Sequence, residues 1–263
     1  MHKYLLMSSQ TMQNALAYRV RFLLSIGSGL IQALVLYYIW RAVFLDRGVL
    51  GGFTFDEIVD YVFISFVVRN LYSFYTETGI SATIRDGSVA FELIKPVDYQ
   101  LARFFESIGN VVVEGLLIAA TVIVVGVVIF GVGPPESVAA ALLFCVSMLL
   151  SVAINFALSY FVGLFCFYTT SSYGIITAKT FIVGFFSGAV VPISFFPTWL
   201  SNFAFALPFH TIVRVPVLIY LGKIPAPEAV PSILLQLFWA AALVLGGRAF
   251  WSIAIRKVTI HGG

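Results

Sequence analysis

Five polar side chains fall inside long apolar runs of this sequence: Arg69, Asn70, Glu114, Asn155 and Lys179. A charge deep in a hydrocarbon layer costs about 3 kcal/mol or more, so such groups normally face a bundle interior, a partner charge or a water-filled path. These five are therefore candidates for a transport pathway or for pairing between helices. Glu114 and Lys179 lie about two turns from the ends of their runs, and snorkelling to the interface explains them equally well. Arg69 and Glu114 could also form a purely structural pair. Other chemistry is missing from the sequence. No G-x-x-x-x-G-K-[ST] run occurs to cradle nucleotide phosphates, so any ATP dependence must come from a partner. His2, His210 and His261 stand apart, with no H-E-x-x-H pattern and no Cys or carboxylate at ligand spacing, which leaves no metal site. Nothing resembles a nucleophile elbow or an activated catalytic pair. Cys145 and Cys166 belong to one expected helix, roughly 30 Å apart, too far to bridge each other.

The elements around these residues follow from composition. The 263 residues are 60% hydrophobic and 10% charged, with a mean hydropathy of +1.02, which excludes an ordinary soluble domain. At about 20 residues per span, roughly six spans use up the chain. The expected fold is an all-α integral membrane protein, a single domain over 1–263, with spans at 22–44, 57–75, 108–130, 138–168, 173–191 and 232–251. Residues 1–21 mix apolar and polar positions in a way that suits a helix lying in the interface, an elbow before the first span and not a cleavable signal. The Gly-Val-Gly-Pro-Pro run at 131–135 should end the third span, because proline cannot continue the hydrogen-bond ladder. Gly184 and Gly188 are spaced for close helix contact. Between Pro192 and Pro231 the chain is apolar but interrupted by prolines, with fragments too short to cross a bilayer. Such backbone is tolerated at membrane depth where protein or water satisfies it, which predicts short re-entrant helices, for example over 198–206 and 209–220. An amphipathic loop resting on the surface is the alternative.

The formal charge of +3 is too small and too scattered to indicate nucleic acid. Counting Lys and Arg on the two sides instead sets orientation. One side carries Lys3, Arg19, Arg21, Arg85, Lys95, Arg103, Arg256 and Lys257, and the other Arg41, Arg47, Arg214 and Lys223. The richer side should be cytoplasmic, with both termini. That side also holds residues 84–98, a polar segment between two apolar runs. Gly87 permits a tight turn, Ser88 can cap a helix, and Lys95-Pro96 stops it, leaving a helix of about two turns. Phe91, Leu93 and Ile94 would form its apolar face, and Arg85, Asp86 and Glu92 a charged one. A solvated loop between hairpins is the plainer reading.

Several spaced motifs carry a resemblance. Ile84-Arg85-Asp86-Gly87 leading to Leu93-Ile94-Lys95-Pro96-Val97, then the run Ser187 to Leu200, then Leu207-Pro208-Phe209, Pro216-Val217 and Leu221-Gly222-Lys223, resemble the permease subunits of type 2 ABC exporters. The nearest subgroup is the bacterial six-span permeases of daunorubicin and viologen type, and the likeness covers nearly the whole chain. It implies an elbow helix, six spans, a cytoplasmic coupling helix after the second span and re-entrant helices before the sixth. It also implies a bacterial inner-membrane location, pairing with an identical or homologous second permease subunit, and two copies of a separate ATPase subunit that hold ATP and Mg. On that basis Arg85, Asp86, Gly87, Phe91, Glu92, Lys95 and Pro96 would couple to the ATPase. Pro192, Phe196, Pro197, Trp199, Pro208 and Phe209 would shape the external gate. A self-sufficient channel or ion-coupled carrier is the rival, but it would predict internal repeats and paired midplane carboxylates, and neither is found. No motif selects a substrate.

Overall fold

The computed structural model describes residues 2–17, 19–70, 75–169 and 172–257. These fold into helices in the order α1 (His2–Ala17), α2 (Arg19–Val43), α3 (Phe55–Asn70), α4 (Tyr75–Arg85), α5 (Val89–Leu93), α6 (Tyr99–Asn110), α7 (Leu116–Phe130), α8 (Val138–Phe165), α9 (Ser172–Phe186), α10 (Thr198–Phe205), α11 (His210–Tyr220) and α12 (Ala226–Ala254). A π-helical turn over Val111–Gly115 joins α6 to α7, making one rod of 32 residues from Tyr99 to Phe130. Among the described residues the extended structure is a single bridge between Leu50 and Phe53. The protein is all-α.

Local chemistry sets the helix ends. Thr54 and Glu57 form a reciprocal capping box at the start of α3, the Thr54 N–H donating to Glu57 Oε2 (2.8 Å) and the Glu57 N–H to Thr54 Oγ1 (3.3 Å). Asp98 caps α6 through the Leu101 N–H (2.8 Å), and Ser137 caps α8 through the Ala140 N–H (3.1 Å). The end of α7 differs from expectation in its cause. Gly131, at φ 71°, takes the left-handed position and donates to Gly126 O, so the helix has stopped before the prolines are reached.

Three described helices are long and apolar enough to cross a membrane: Tyr99–Phe130, Val138–Phe165 and Ala226–Ala254. The pair α10 and α11, bent by 100°, makes a fourth if counted as one span. By length, α2 rises about 37 Å over its 25 residues. Four expected boundaries are corrected. In the second run α3 is described to Asn70, residues 71–74 lie outside the described residues, and α4 extends from Tyr75 to Arg85, beyond the expected end at 75. The third span begins nine residues early because Asp98 caps it. The fifth ends at Phe186 after 15 residues, about 22 Å, where Gly188 (φ 81°) turns the chain. The last begins at Ala226, because Pro227 in the first turn has no N–H that needs a partner, and Pro231 within the helix removes a single bond.

The core centres on α3, whose residues Ile58 and Val59 and the whole run from Tyr61 to Val68 are buried. Helix α11 packs among α3, α8 and α12 and buries almost every residue, so it lies inside the bundle and not on its surface. Gln236 of α12 joins three helices: its Nε2 donates to Ser151 Oγ (3.1 Å) of α8 and to Thr211 O (2.7 Å) of α11, and its Oε1 accepts from Ser147 (2.9 Å). Such bonds hold helices together where no hydrophobic driving force between them exists. The outer surface is apolar, with Val124, Val127 and Val128 on α7 and Leu234, Leu237, Phe238 and Leu245 on α12 exposed. A surface of that kind needs lipid around it. The protein is a multi-pass membrane protein.

The loops gather at two ends. At one, Phe195 packs on Trp40 (centroids 4.9 Å) and over Gly51, and Lys223 Nζ reaches Glu57 (2.6 Å) and Gly52 O (2.9 Å). At the other lie α1, the 86–98 segment and the end of α12. Helix α1 rests on α6 so closely that a Cβ at Gly109 would stand 2.6 Å from Ser8 O, and Tyr4 stacks on Phe105 (5.5 Å).

Candidate functional site

The 86–98 segment is shorter and better anchored than its sequence indicates. Gly87 at φ 74° turns the chain out of α4, a conformation in which a side chain is strained. The expected Ser88 cap is absent: Ser88 has helical backbone angles and its hydroxyl caps nothing in α5. Asp86 performs the local bonding instead, its Oδ1 accepting the Ser88 N–H (2.9 Å). Bonds from the Ser88 hydroxyl and backbone hold the Asp86 carboxyl below its ordinary pKa. Helix α5 has five residues, under two turns. The expected apolar face is exposed, and the charged one differs from expectation at Glu92. Val89 is buried, whereas Phe91 (69% exposed) and Ile94 (79%) point outward. Glu92 leaves the charged face and turns inward, because Lys95 Nζ (2.8 Å) and Arg103 Nη2 (2.5 Å) meet it there. Arg103 also binds Glu106 (2.9 Å) and lies over the Tyr99 ring. Burial alone would raise the Glu92 pKa, but Lys95 and Arg103 outweigh it and hold it low.

Beyond α5 the chain is tied to two elements. Pro96 O accepts from Lys3 Nζ (2.6 Å), and the Asp98 N–H donates to the Tyr4 hydroxyl (3.0 Å), which fastens α1. Asp98 Oδ2 meets Arg248 (3.2 Å), Gln100 Nε2 donates to Val244 O (3.0 Å), and Tyr99 stacks on Trp251 at 4.1 Å, which fastens α12. Arg85, Asp86, Gly87, Lys95 and Pro96 remain exposed around these contacts. The short apolar-tipped helix and the chain after it are thus held at several points on α1, α6 and α12.

The gate candidates cluster in part. Pro192 heads a 3-10 turn over Ile193–Phe195, and Pro197 opens α10. Phe196 stacks on Phe185 of α9 (4.9 Å), and Phe209 lies 6.4 Å from Phe186. Pro208 O accepts from Thr211 at the corner before α11. Trp199 stands apart, 71% exposed.

The intramembrane polar residues divide. Asn70 Nδ2 donates to Phe66 O (2.8 Å), a bond within its own helix. The Glu114 side chain lies outside those described, and Arg69 bonds Gln32 Oε1 (2.6 Å) and lies over Phe66. Lys179 does not snorkel. Its Nζ is buried between Glu77 of α4 (3.1 Å) and Ser159 of α8 (2.8 Å). Arg69, Asn155 and Lys179 come together, with Thr180, Val183, Gly184 and Ser187, around a cavity of about 130 Å³. Gly184 therefore leaves room at a cavity wall, whereas Gly188, in the turn after α9, lies against α3, where a Cβ would stand 2.9 Å from the Tyr61 hydroxyl.

Residues that no sequence pattern marks as functional carry much of this: Glu77, Asp98, Arg103, Arg248 and Gln236. The one available signal was Glu77 at the polar margin of the second run, where a membrane-facing charge needs a partner. Among the described residues no three His, Cys, Asp or Glu side chains gather as a metal site would require. A family model described as ABC-2 family transporter protein matches residues 30–262. No curated protein matches the sequence.

Proposed function

The chain belongs to the ABC-2 family of transporter proteins, and we propose that it forms the translocation path of an ATP-driven exporter whose energy arrives through α5. ATP and Mg bind two copies of a separate ABC ATPase, which dock under residues 85–96. A second permease subunit, identical or homologous, completes the membrane domain. Both termini face the cytoplasm and the 192–231 region faces outward, a reading that the Lys and Arg distribution supports. Closure of the ATPase pair favours one packing of the helices, because ATP binds that state more tightly.

The observation that carries this reading is the outward exposure of Phe91 and Ile94 on a helix braced by Glu92, Arg103 and Asp98. Apolar side chains at the polar end of a membrane protein require a protein cover, and the braces would convert docking into helix movement. The gate residues Phe196 and Phe209, stacked against α9, occupy the opposite end.

Replacing Phe91 and Ile94 by glutamate should cut co-purification of the co-expressed ATPase at least about tenfold, since two buried apolar anchors contribute about 2 kcal/mol or more each. The melting temperature of the permease alone should not change, because both side chains point away from the protein. Unchanged co-purification would overturn the coupling role. Substrate movement into vesicles that contain the permease without ATPase would favour a self-sufficient carrier.

A further inference from the structure

We propose that the cavity between α3, α8 and α9 binds the anionic group, phosphoryl or carboxylate, of an amphiphilic ligand. Its lining joins two cationic side chains, Arg69 and Lys179, to the hydrogen-bonding groups of Asn155, Thr180 and Ser187, and contains no carboxylate. Asn155 is 4% exposed and its amide makes no hydrogen bond among the described residues, although it lines the space. Its amide is therefore free to bond a group inside the space, and a ligand oxygen here would accept from its Nδ2. The wall is one face of α9, where Lys179, Val183 and Ser187 recur every four residues with Thr180 and Gly184 beside them. Small side chains at 180, 184 and 187 leave the room.

Size narrows the ligand. A drug-sized molecule fills about 300 Å³ or more, whereas about 130 Å³ holds a headgroup. The cavity opens beside Thr180, and there Phe181, Ile182 and Phe185 of the same helix are exposed. An apolar tail leaving the cavity would lie along them. Lys179 adds a second property. It also binds Glu77 of α4, and α4 leads through Gly87 into α5. An anion that competes for Lys179 loosens that tie, so occupancy of the cavity reaches the coupling segment.

The proposal rests on the transporter reading only where it links occupancy of the cavity to the coupling segment. Binding is therefore measured on the permease without ATPase, in phosphatidylcholine nanodiscs, so its outcome is separate from the co-purification result. Dodecyl phosphate should bind at least about tenfold more tightly than dodecyltrimethylammonium. Asn155→Asp, which puts a negative charge into the cavity without changing its shape, should weaken dodecyl phosphate at least about tenfold, as should Arg69→Gln; a tenfold change corresponds to about 1.4 kcal/mol. Unliganded melting temperatures identify a variant that fails to fold, and the other then decides. Competition by inorganic phosphate at similar concentration assigns the site to a free anion, and its absence assigns it to an amphiphile. Equal affinity for the cationic probe, or unchanged binding in both variants, would overturn the proposal.

Discussion

Lys179→Leu is expected to destabilise the protein by about 3–5 kcal/mol, and the double variant Lys179→Leu/Glu77→Leu by much less. Glu77 is completely buried, one carboxylate oxygen binding Lys179 at 3.1 Å and the other without a partner among the described residues. Removing the lysine alone strands that carboxylate in the bundle without the cation it binds. Removing both charges costs the mutual attraction but also ends the desolvation penalty, which is of similar size. The contact joins α4 to α9, with Ser159 of α8 as the third participant, so its loss should loosen the helix that leads into the 86–98 segment. Thermal unfolding of the two variants in the same detergent checks this. Equal losses in the single and double variants would show that the ion pair is not what holds α4.

Arg103→Met is the second large effect, and it should release α5 without unfolding the bundle. Arg103 is the link between Glu92 of the short helix and Glu106 of α6. A charge-assisted bond of this kind contributes about 1.5–3 kcal/mol, and its removal also leaves two half-buried carboxylates side by side. Amide exchange over residues 86–98 should accelerate at least tenfold by this reckoning (about 1.4 kcal/mol per decade), while α8 and α12 stay protected. The same contact predicts a pH dependence. The Glu92 pKa in the fold lies below its ordinary value of 4.5, so its contribution is complete above that value and is lost as pH falls through the lowered one. Protection of the segment should therefore decline in acid, and it should decline less in Arg103→Met, where much of the contribution is already gone. A segment that exchanges equally in both proteins at neutral pH would remove Arg103 from this role.

The helical membrane architecture was legible because it depends on length and hydropathy, which are local properties. The stretches that became α8 and α12 are long, apolar and nearly free of charge, and no tertiary contact is needed to find them. Prolines were legible as interruptions but not as structures. Pro231 reads as a break yet lies within α12, and α11 holds Pro216 without ending, since a single missing bond is tolerated where neighbours bury the helix. The polarity of the 84–98 segment was legible, and Phe91, Leu93 and Ile94 do share an exposed side, but the place of Glu92 was not. A five-residue helix is too short for periodicity to say which side is inward, and Glu92 was drawn inward by Arg103, eleven residues further on.

By itself, then, the sequence determined the membrane class, the helical fold, the polar 84–98 segment between apolar runs, and the lack of any phosphate-binding loop in the chain. The tertiary structure decided which charges meet. Lys179 and Glu77 are 102 positions apart and Arg248 and Asp98 150 apart, separations over which neither spacing nor composition carries information. A buried charge announces that it needs a partner. Only the packing of α4, α8, α9 and α12 determines which partner lies within reach, because an ion pair in low dielectric is set by a few ångströms of distance and by the exclusion of water.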